Sequence, residues 1–232
     1  MDTNKVKSGL YLFLVIIFGL LNSFTVANDK ADTDQNKGQQ LEDTSKGDAF
    51  LFDMKIFNKK KKTSVRLDIY RKGDSLGVFA RGYLGKGVLK ALVNSDSIVT
   101  FFPTESQYFS GKISELLSAN CFDSIPLEKM IVDFFRTTPD KIVYPTGNII
   151  ISVLVDSPRF RKFRIMSKDC SESIELDYDF KKGNFLLKKF MYFSADGQFR
   201  LEAERRKFRL DVKLSDKKYK ISIPPTASRI YP

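Results

Sequence analysis

"RGYLGKGVLKALVNSDSIVTFF", residues 81–102, is the stretch whose reading decides the fold. Its glycines at 82, 85 and 87 admit two readings, a phosphate-cradling loop or a tight hairpin. A nucleotide loop needs G-x-x-x-x-G-K-[ST] and then a helix whose N-terminus meets the phosphate. That pattern is missing, and after Gly87 the residues of "VLKALVNSDSIVTFF" alternate apolar and polar instead of recurring at helical spacing. The glycines are therefore hairpin geometry between two strands. Such a turn either presents Leu84 to solvent or tucks it under the sheet, and the sequence accommodates both.

The same period of two runs through most of the chain from Ala49 onward. "VRLDIYRK" places Val65, Leu67 and Ile69 on one face, and "SIELDYDF" does the same with Ile174, Leu176, Tyr178 and Phe180. "KFRLDVKLSDKKYKISI" predicts two strands, with Phe208, Leu210, Val212 and Leu214 inward in the first and Tyr219, Ile221 and Ile223 inward in the second. Short polar turns ("NKKKK", "RKGD", "NSDS", "KKGN", "SADG", "LSDKK") separate these runs, as hairpins require. "NFLLKKFMYFS" (184–194) carries large apolar residues on both faces, which predicts a strand covered on both sides. One interval differs. "ISELLSANCFDSIPLEKMIVDFFRTTPD" (113–140) has helical spacing, with Leu127, Met130, Ile131, Phe134 and Phe135 at i, i+3, i+4, i+7 and i+8. It predicts two helices, the second opened by Pro126 with Ser124 as its N-cap. Helices inserted between antiparallel runs give an α+β architecture, a long curved sheet wrapping two or more helices.

At the N-terminus, Lys5 and Lys7 precede the apolar run "LYLFLVIIFGLL" (10–21) and the more polar "NSFTVA". Residues 1–27 read as a secretory signal cleaved after Ala27, or as an uncleaved inner-membrane anchor, since no charge falls between Ser8 and Asn28 and a bilayer needs about 20 such residues. Residues 28–48 have one large aliphatic residue and a net charge of −3, an acidic tether unable to bury enough surface to order itself. Residues 49–232 form the domain, with 34 Lys and Arg against 21 Asp and Glu. For an exported chain, such a domain is drawn to an anionic membrane surface rather than to nucleic acid. The basic loop around Lys59, Lys60, Lys61 and Lys62, together with Lys86, supplies the candidate contacts; solvated hairpin tips are the alternative.

The chain has no histidine, which removes the usual general base, every His-containing triad and every His metal site. Two cysteines cannot build a four-ligand zinc site. The pairs Glu202/Glu204 and Asp177/Asp179 share strand faces as a glycosidase pair could, but cross-strand charge pairing accounts for them. The expectation is a chain without enzymatic activity, cofactor or metal. Cys121 and Cys170 are read either as a disulfide closed in an oxidising compartment or as two separate thiols.

The order of these elements, with "GYLGKGVLKALVNSDSIVTFFPTESQYFSGKISELL" and the closing "FRLEAERRKFRLDVKLSDKKYKISIPPTASRIYP", resembles the bacterial lipoprotein-localisation family (LolA/LolB-like) over most of 49–232. The resemblance implies an open antiparallel half-barrel of about eleven strands covered by helices, with an apolar cavity for the acyl chains of a lipoprotein or lipid. Val65, Leu67, Ile69, Phe134, Phe135, Leu176 and Tyr178 are the candidates to line it. Tyr83-Leu84-Gly85 stands where the family has a Pro-Leu-Gly-like loop, which gives Leu84 the role of a membrane-contacting tip. The chain departs from the lipidated acceptor of that family in lacking both a lipid-accepting cysteine and any tryptophan. The function implied is a monomeric periplasmic carrier or acceptor in a Gram-negative-type envelope that exchanges acyl chains with a membrane. A non-catalytic assembly or interaction module with the same fold and no lipid is the alternative.

Overall fold

The structure is a computed structural model that describes residues 45–59, 61–112, 127–141, 149–168 and 171–231. Its first six strands are β1 (Ser45–Asn58), β2 (Lys61–Lys72), β3 (Ser75–Arg81), β4 (Gly87–Val93), β5 (Ile98–Phe102) and β6 (Gln107–Gly111). One α-helix is present among the described residues, α1 (Leu127–Phe134), followed by β7 (Ile149–Asp156), β8 (Phe160–Ser167) and β9 (Ser173–Lys181). The chain closes with β10 (Asn184–Phe193), β11 (Phe199–Leu214) and β12 (Ser228–Arg229).

All twelve strands belong to one open sheet in the order β12-β6-β5-β4-β3-β2-β1-β11-β10-β9-β8-β7. The hairpins make it antiparallel, except that β12 lies parallel to β6. The expected open half-barrel of about eleven antiparallel strands is matched by an open sheet, which has twelve strands among the described residues and is mixed because the chain returns at its end to the far edge. β1 also begins earlier than the sequence suggests. Ser45–Asp48, read above as the end of the tether, are strand and pair with β11 from Ser45 opposite Leu214. The Asp48 carboxylate explains why this polar stretch orders, since Oδ2 accepts from Arg71 Nε at 3.0 Å and Oδ1 from the Asp211 backbone N–H at 3.0 Å.

The alternation works as a sorting rule. Phe50, Phe52 and Met54 of β1, Val65, Leu67 and Ile69 of β2 and Leu176 and Tyr178 of β9 are all buried in one core on the inner face. α1 lies against that face because its Leu127, Met130 and Phe134 recur at helical spacing and are buried with it. Phe135, just past the helix, packs on Phe50 and Phe52 with ring centroids 5.5 and 5.9 Å apart. Tyr178 is fully buried, and its hydroxyl donates to the Phe134 carbonyl at 3.2 Å, which satisfies the one polar atom it brings inside. β10 is covered on both faces, with Leu186, Leu187, Met191 and Tyr192 all buried. The first predicted helix, with Ser124 and Pro126, lies outside the described residues, as do residues 1–44, Lys60, Cys121 and Cys170.

Two departures from regular pairing matter for the surface. β11 pairs with β1 over nearly its whole length but with β10 only between Arg200–Glu204 and Lys189–Phe193, so the ladder opens into a fork beyond Glu204. The register with β1 also shifts between Leu51 and Phe52, where Arg206 is the extra residue on β11. After Leu214 the chain does not make the second strand predicted for "KYKISI". Asp216–Tyr219 form a 3-10 turn capped by Ser215, whose hydroxyl accepts from the Lys217 N–H. The segment then crosses the outer face of the sheet to β6. Gly77 of β3 makes that crossing possible, because a Cβ there would stand 2.1 Å from the Lys218 carbonyl oxygen. Lys218 in turn places its ammonium 4.6 Å from the centroid of the outward Tyr70 ring. At the other end of the sheet, β7 has a strand on one side only among the described residues and exposes Ile150, Val153, Leu154 and Val155.

Candidate membrane-contacting tip and groove

The β3–β4 connection is a single 3-10 turn at Tyr83–Gly85, closed by hydrogen bonds from Gly82 N to Lys86 O at 2.9 Å and from Gly85 N to Gly82 O at 3.2 Å. Leu84 has φ 58° and ψ 20°, the left-handed region in which an L side chain crowds its own backbone. Its side chain is 79% exposed. The residue therefore carries backbone strain with no burial to offset it, whereas Gly85, at φ 74°, adopts its left-handed conformation freely. Of Tyr83 only the backbone is described.

Leu84 stands on the rim of a groove of about 650 Å³ on the outer face of the sheet. Arg81, Gly82 and Gly85 line one end, Ser64 and Arg66 of β2 and Asp53 and Lys55 of β1 its floor, and Glu202, Glu204, Arg206 and Lys189 the far end. Register builds this row, since Arg81 is opposite Arg66, Arg66 opposite Asp53, Asp53 opposite Glu204 and Glu204 opposite Lys189. The bulge at Arg206 turns that side chain onto Asp53, with Nε 2.6 Å from Oδ2. The Asp53 carboxylate beside it holds the Arg206 guanidinium above its ordinary value. Arg66 reaches the other oxygen of Asp53 at only 3.8 Å, while Arg81 is paired with Asp68.

Farther along the outer face, Glu175 accepts from Lys162 at 2.8 Å and from Arg164 Nε at 2.9 Å. Burial alone would raise its carboxyl, but those hydrogen bonds overcome it and hold the group below its ordinary value. Asp177, two positions on, behaves the other way. Burial raises it, the nearby cations Lys162 and Lys189 offset only part of that, and its Oδ1 is buried with no hydrogen-bond partner among the described residues.

The structure places the sequence-derived candidates in two groups. Leu84, Gly85 and Lys86 form the turn, and Lys59, Lys61 and Lys62 occupy the β1–β2 hairpin, whose tip lies at the same end of the sheet because β2 extends beyond Arg81 of β3. Lys59 takes φ 52° at the tip and Lys61, Lys62 and Lys86 are exposed. The other seven candidates, from Val65 to Tyr178, belong to the packed core of the inner face; only Val65 also touches the groove. Arg66, Arg81 and Arg206 were not singled out from the sequence, since their convergence depends on strand register and on one bulge. Glu202 and Glu204 were noted as a pair; they line the groove among cations, and Arg200 Nε lies 3.1 Å from Glu202. Among the described residues no three His, Cys, Asp or Glu side chains are grouped to hold a metal, and no helix is long and apolar enough to cross a membrane.

No family model and no curated protein matches the sequence. Solved structures do. A DUF1329 family protein from Desulfovibrio piger matches at 15% identity and TM-score 0.46, covering 77% of this chain and 91% of that one. A LolA superfamily protein from Nitrosomonas europaea matches at 12% identity and TM-score 0.36, covering 76% and 90%. A domain from Vibrio parahaemolyticus assigned to outer membrane lipoprotein sorting matches at 8% identity and TM-score 0.46, covering 75% and 88%. At these identities and scores the likeness gives this chain neither a ligand nor a family, and its open-sheet architecture is read from its own strand order and register.

Proposed function

We propose that this chain is an exported, non-catalytic lipid- or lipoprotein-binding carrier that meets an anionic membrane through the Tyr83–Gly85 turn. Strain at Leu84 carries this reading. Lys59, Ser106, Lys182 and Asp211 take the same left-handed backbone, but they are polar; Leu84 alone among them sets an apolar side chain in water at that backbone cost. In water Leu84 gains nothing from that position; in a bilayer interface, burial of the side chain contributes about 1.5–3 kcal/mol. The lysines at Lys59, Lys61, Lys62 and Lys86, at the same end of the sheet, would each add about 1 kcal/mol toward anionic headgroups.

The second reading, an interaction module of the envelope without a lipid ligand, is favoured by the packing of Phe135 on Phe50 and Phe52, which sets a ring against the inner face where acyl chains would lie. Native mass spectrometry of the protein purified from its envelope separates the two. Co-purified acyl chains are expected for the carrier; a homogeneous unliganded mass together with no binding to anionic vesicles would overturn it.

A further inference from the structure

We propose that the outer-face groove beneath Leu84 is a binding site for the phosphate of a phospholipid headgroup, held between Arg66 and Arg81. The inference rests on the membrane reading of the turn and adds a ligand chemistry and a location to it. Arg66 and Arg81 are direct cross-strand partners. Like charges placed opposite one another on a sheet repel, so the pair is unfavourable unless an anion lies between them. The carboxylates present only half supply it. Asp68 pairs with Arg81, but Asp53 is drawn by the bulge onto Arg206 at 2.6 Å and stands 3.8 Å from Arg66.

That leaves Arg66 without a close carboxylate partner at the floor of a groove of about 650 Å³, beside the Ser64 hydroxyl and an arginine of matching reach. Two planar guanidinium groups facing one cavity are suited to the oxygens of a phosphate, which each can grip in a bidentate way. The groove's rim is the second half of the argument. Leu84 lines the same cavity as Arg66 and Arg81, so an apolar tip and a phosphate-binding pair are set side by side, as the acyl and headgroup layers of a lipid are. The lysines of the β1–β2 hairpin are exposed point charges outside the groove and carry no such geometry.

The test uses the purified protein, vesicles of phosphatidylcholine with and without phosphatidylglycerol, and soluble glycerol 3-phosphate followed by NMR shifts of the arginine side chains. Arg66→Gln combined with Arg81→Gln is compared with Lys207→Gln combined with Lys213→Gln, exposed lysines of β11 that remove the same charge outside both the groove and the tip; thermal melts establish that both fold. The arginine variant is expected to lose about tenfold or more in affinity for phosphatidylglycerol vesicles and to lose its glycerol 3-phosphate shifts, and the lysine variant to keep most of both. Equal losses in the two variants would mean net charge alone is being read and would overturn the site. Leu84→Asn separates the two readings without adding a charge to the cavity, since it should weaken vesicle binding by about tenfold and leave the glycerol 3-phosphate shifts in place. Should the unaltered protein ignore vesicles yet bind glycerol 3-phosphate at Arg66 and Arg81, the lipid source is wrong; should it bind vesicles with no shift at either arginine, the groove is wrong and the membrane reading stands.

Discussion

Arg205 of β11 donates from Nη1 to the carbonyl of Leu187 on β10 at 2.8 Å, while Nη2 lies 2.6 Å from the Asp179 carboxylate on β9. Arg205 is the first residue past the last β10–β11 pair, so its side chain fills the fork with the hydrogen bonds that the ladder no longer supplies. It is 5% exposed. Removing it would strand a buried carbonyl and a carboxylate without donors. Arg205→Ala is expected to lower unfolding free energy by about 3 kcal/mol in a denaturant titration. Arg205→Lys should recover less than half, because one ammonium cannot span both acceptors as a guanidinium fork does. An alanine variant as stable as the parent would show that the fork holds itself together.

Leu84→Gly should stabilise the fold by about 1 kcal/mol, since glycine relieves the left-handed strain. It should also weaken binding to anionic vesicles by about tenfold, the loss of one buried leucine. Stability and binding move in opposite directions only if the side chain serves the membrane. A lowered unfolding midpoint would place Leu84 among residues that support the turn.

Gly77→Ala tests the crossing segment. A Cβ 2.1 Å from the Lys218 carbonyl cannot be accommodated by a rotamer change, because the obstructing atom is backbone. The segment must lift, releasing Lys218 from Tyr70, at a loss of about 1–3 kcal/mol. Limited proteolysis should then cut at Lys217, Lys218 or Lys220 well before the sheet unfolds. Unchanged resistance would mean that the segment moves aside without detaching.

Glu175 and Asp177 predict opposite responses to pH. Glu175 has a folded pKa below its unfolded value near 4.5, so its contribution is fully present above that pH and is lost as pH falls through the lower folded value. Glu175→Gln should therefore destabilise at neutral pH, by about 2 kcal/mol, and flatten the acid limb of the stability profile. Asp177 has a folded pKa above its unfolded value, so ionising it opposes folding at neutral pH. Asp177→Asn is expected to raise the melting temperature at pH 7 and to leave it nearly unchanged in acid, below both pKa values. Differential scanning calorimetry from pH 3 to pH 8 reads both, and a shift of the same sign in the two variants would contradict the assignment.

Local alternation made most of the sheet readable, because a half-buried strand has to alternate to keep Val65, Leu67 and Ile69 out of water. The bulge had a trace as well. Leu201 and Ala203 face inward at odd positions and Phe208 pairs with inward Phe50, a change of phase that places an extra residue between them. Arg205 had none, since within "ERRKFR" nothing distinguishes a buried fork-filling arginine from its exposed neighbours. "KYKISI" misled for a physical reason. Alternation reports two unlike sides, and a segment lying across the outer face of a sheet has two unlike sides without belonging to a ladder. The groove arginines became visible only with register, because Arg66 and Arg81 are 15 residues apart in sequence and adjacent only across a hairpin.

The return of the chain to β6 gives the sheet a direction of growth. β12 and the Arg229 guanidinium, which donates to the Ser110 carbonyl at 3.0 Å, occupy one border, leaving β7 as the border on which another strand could be laid. Among the described residues β12 leaves only a two-residue edge at its border, so association by strand pairing is favoured at β7, where two copies could meet edge to edge. The same sheet with its β6 border bare would be able to polymerise.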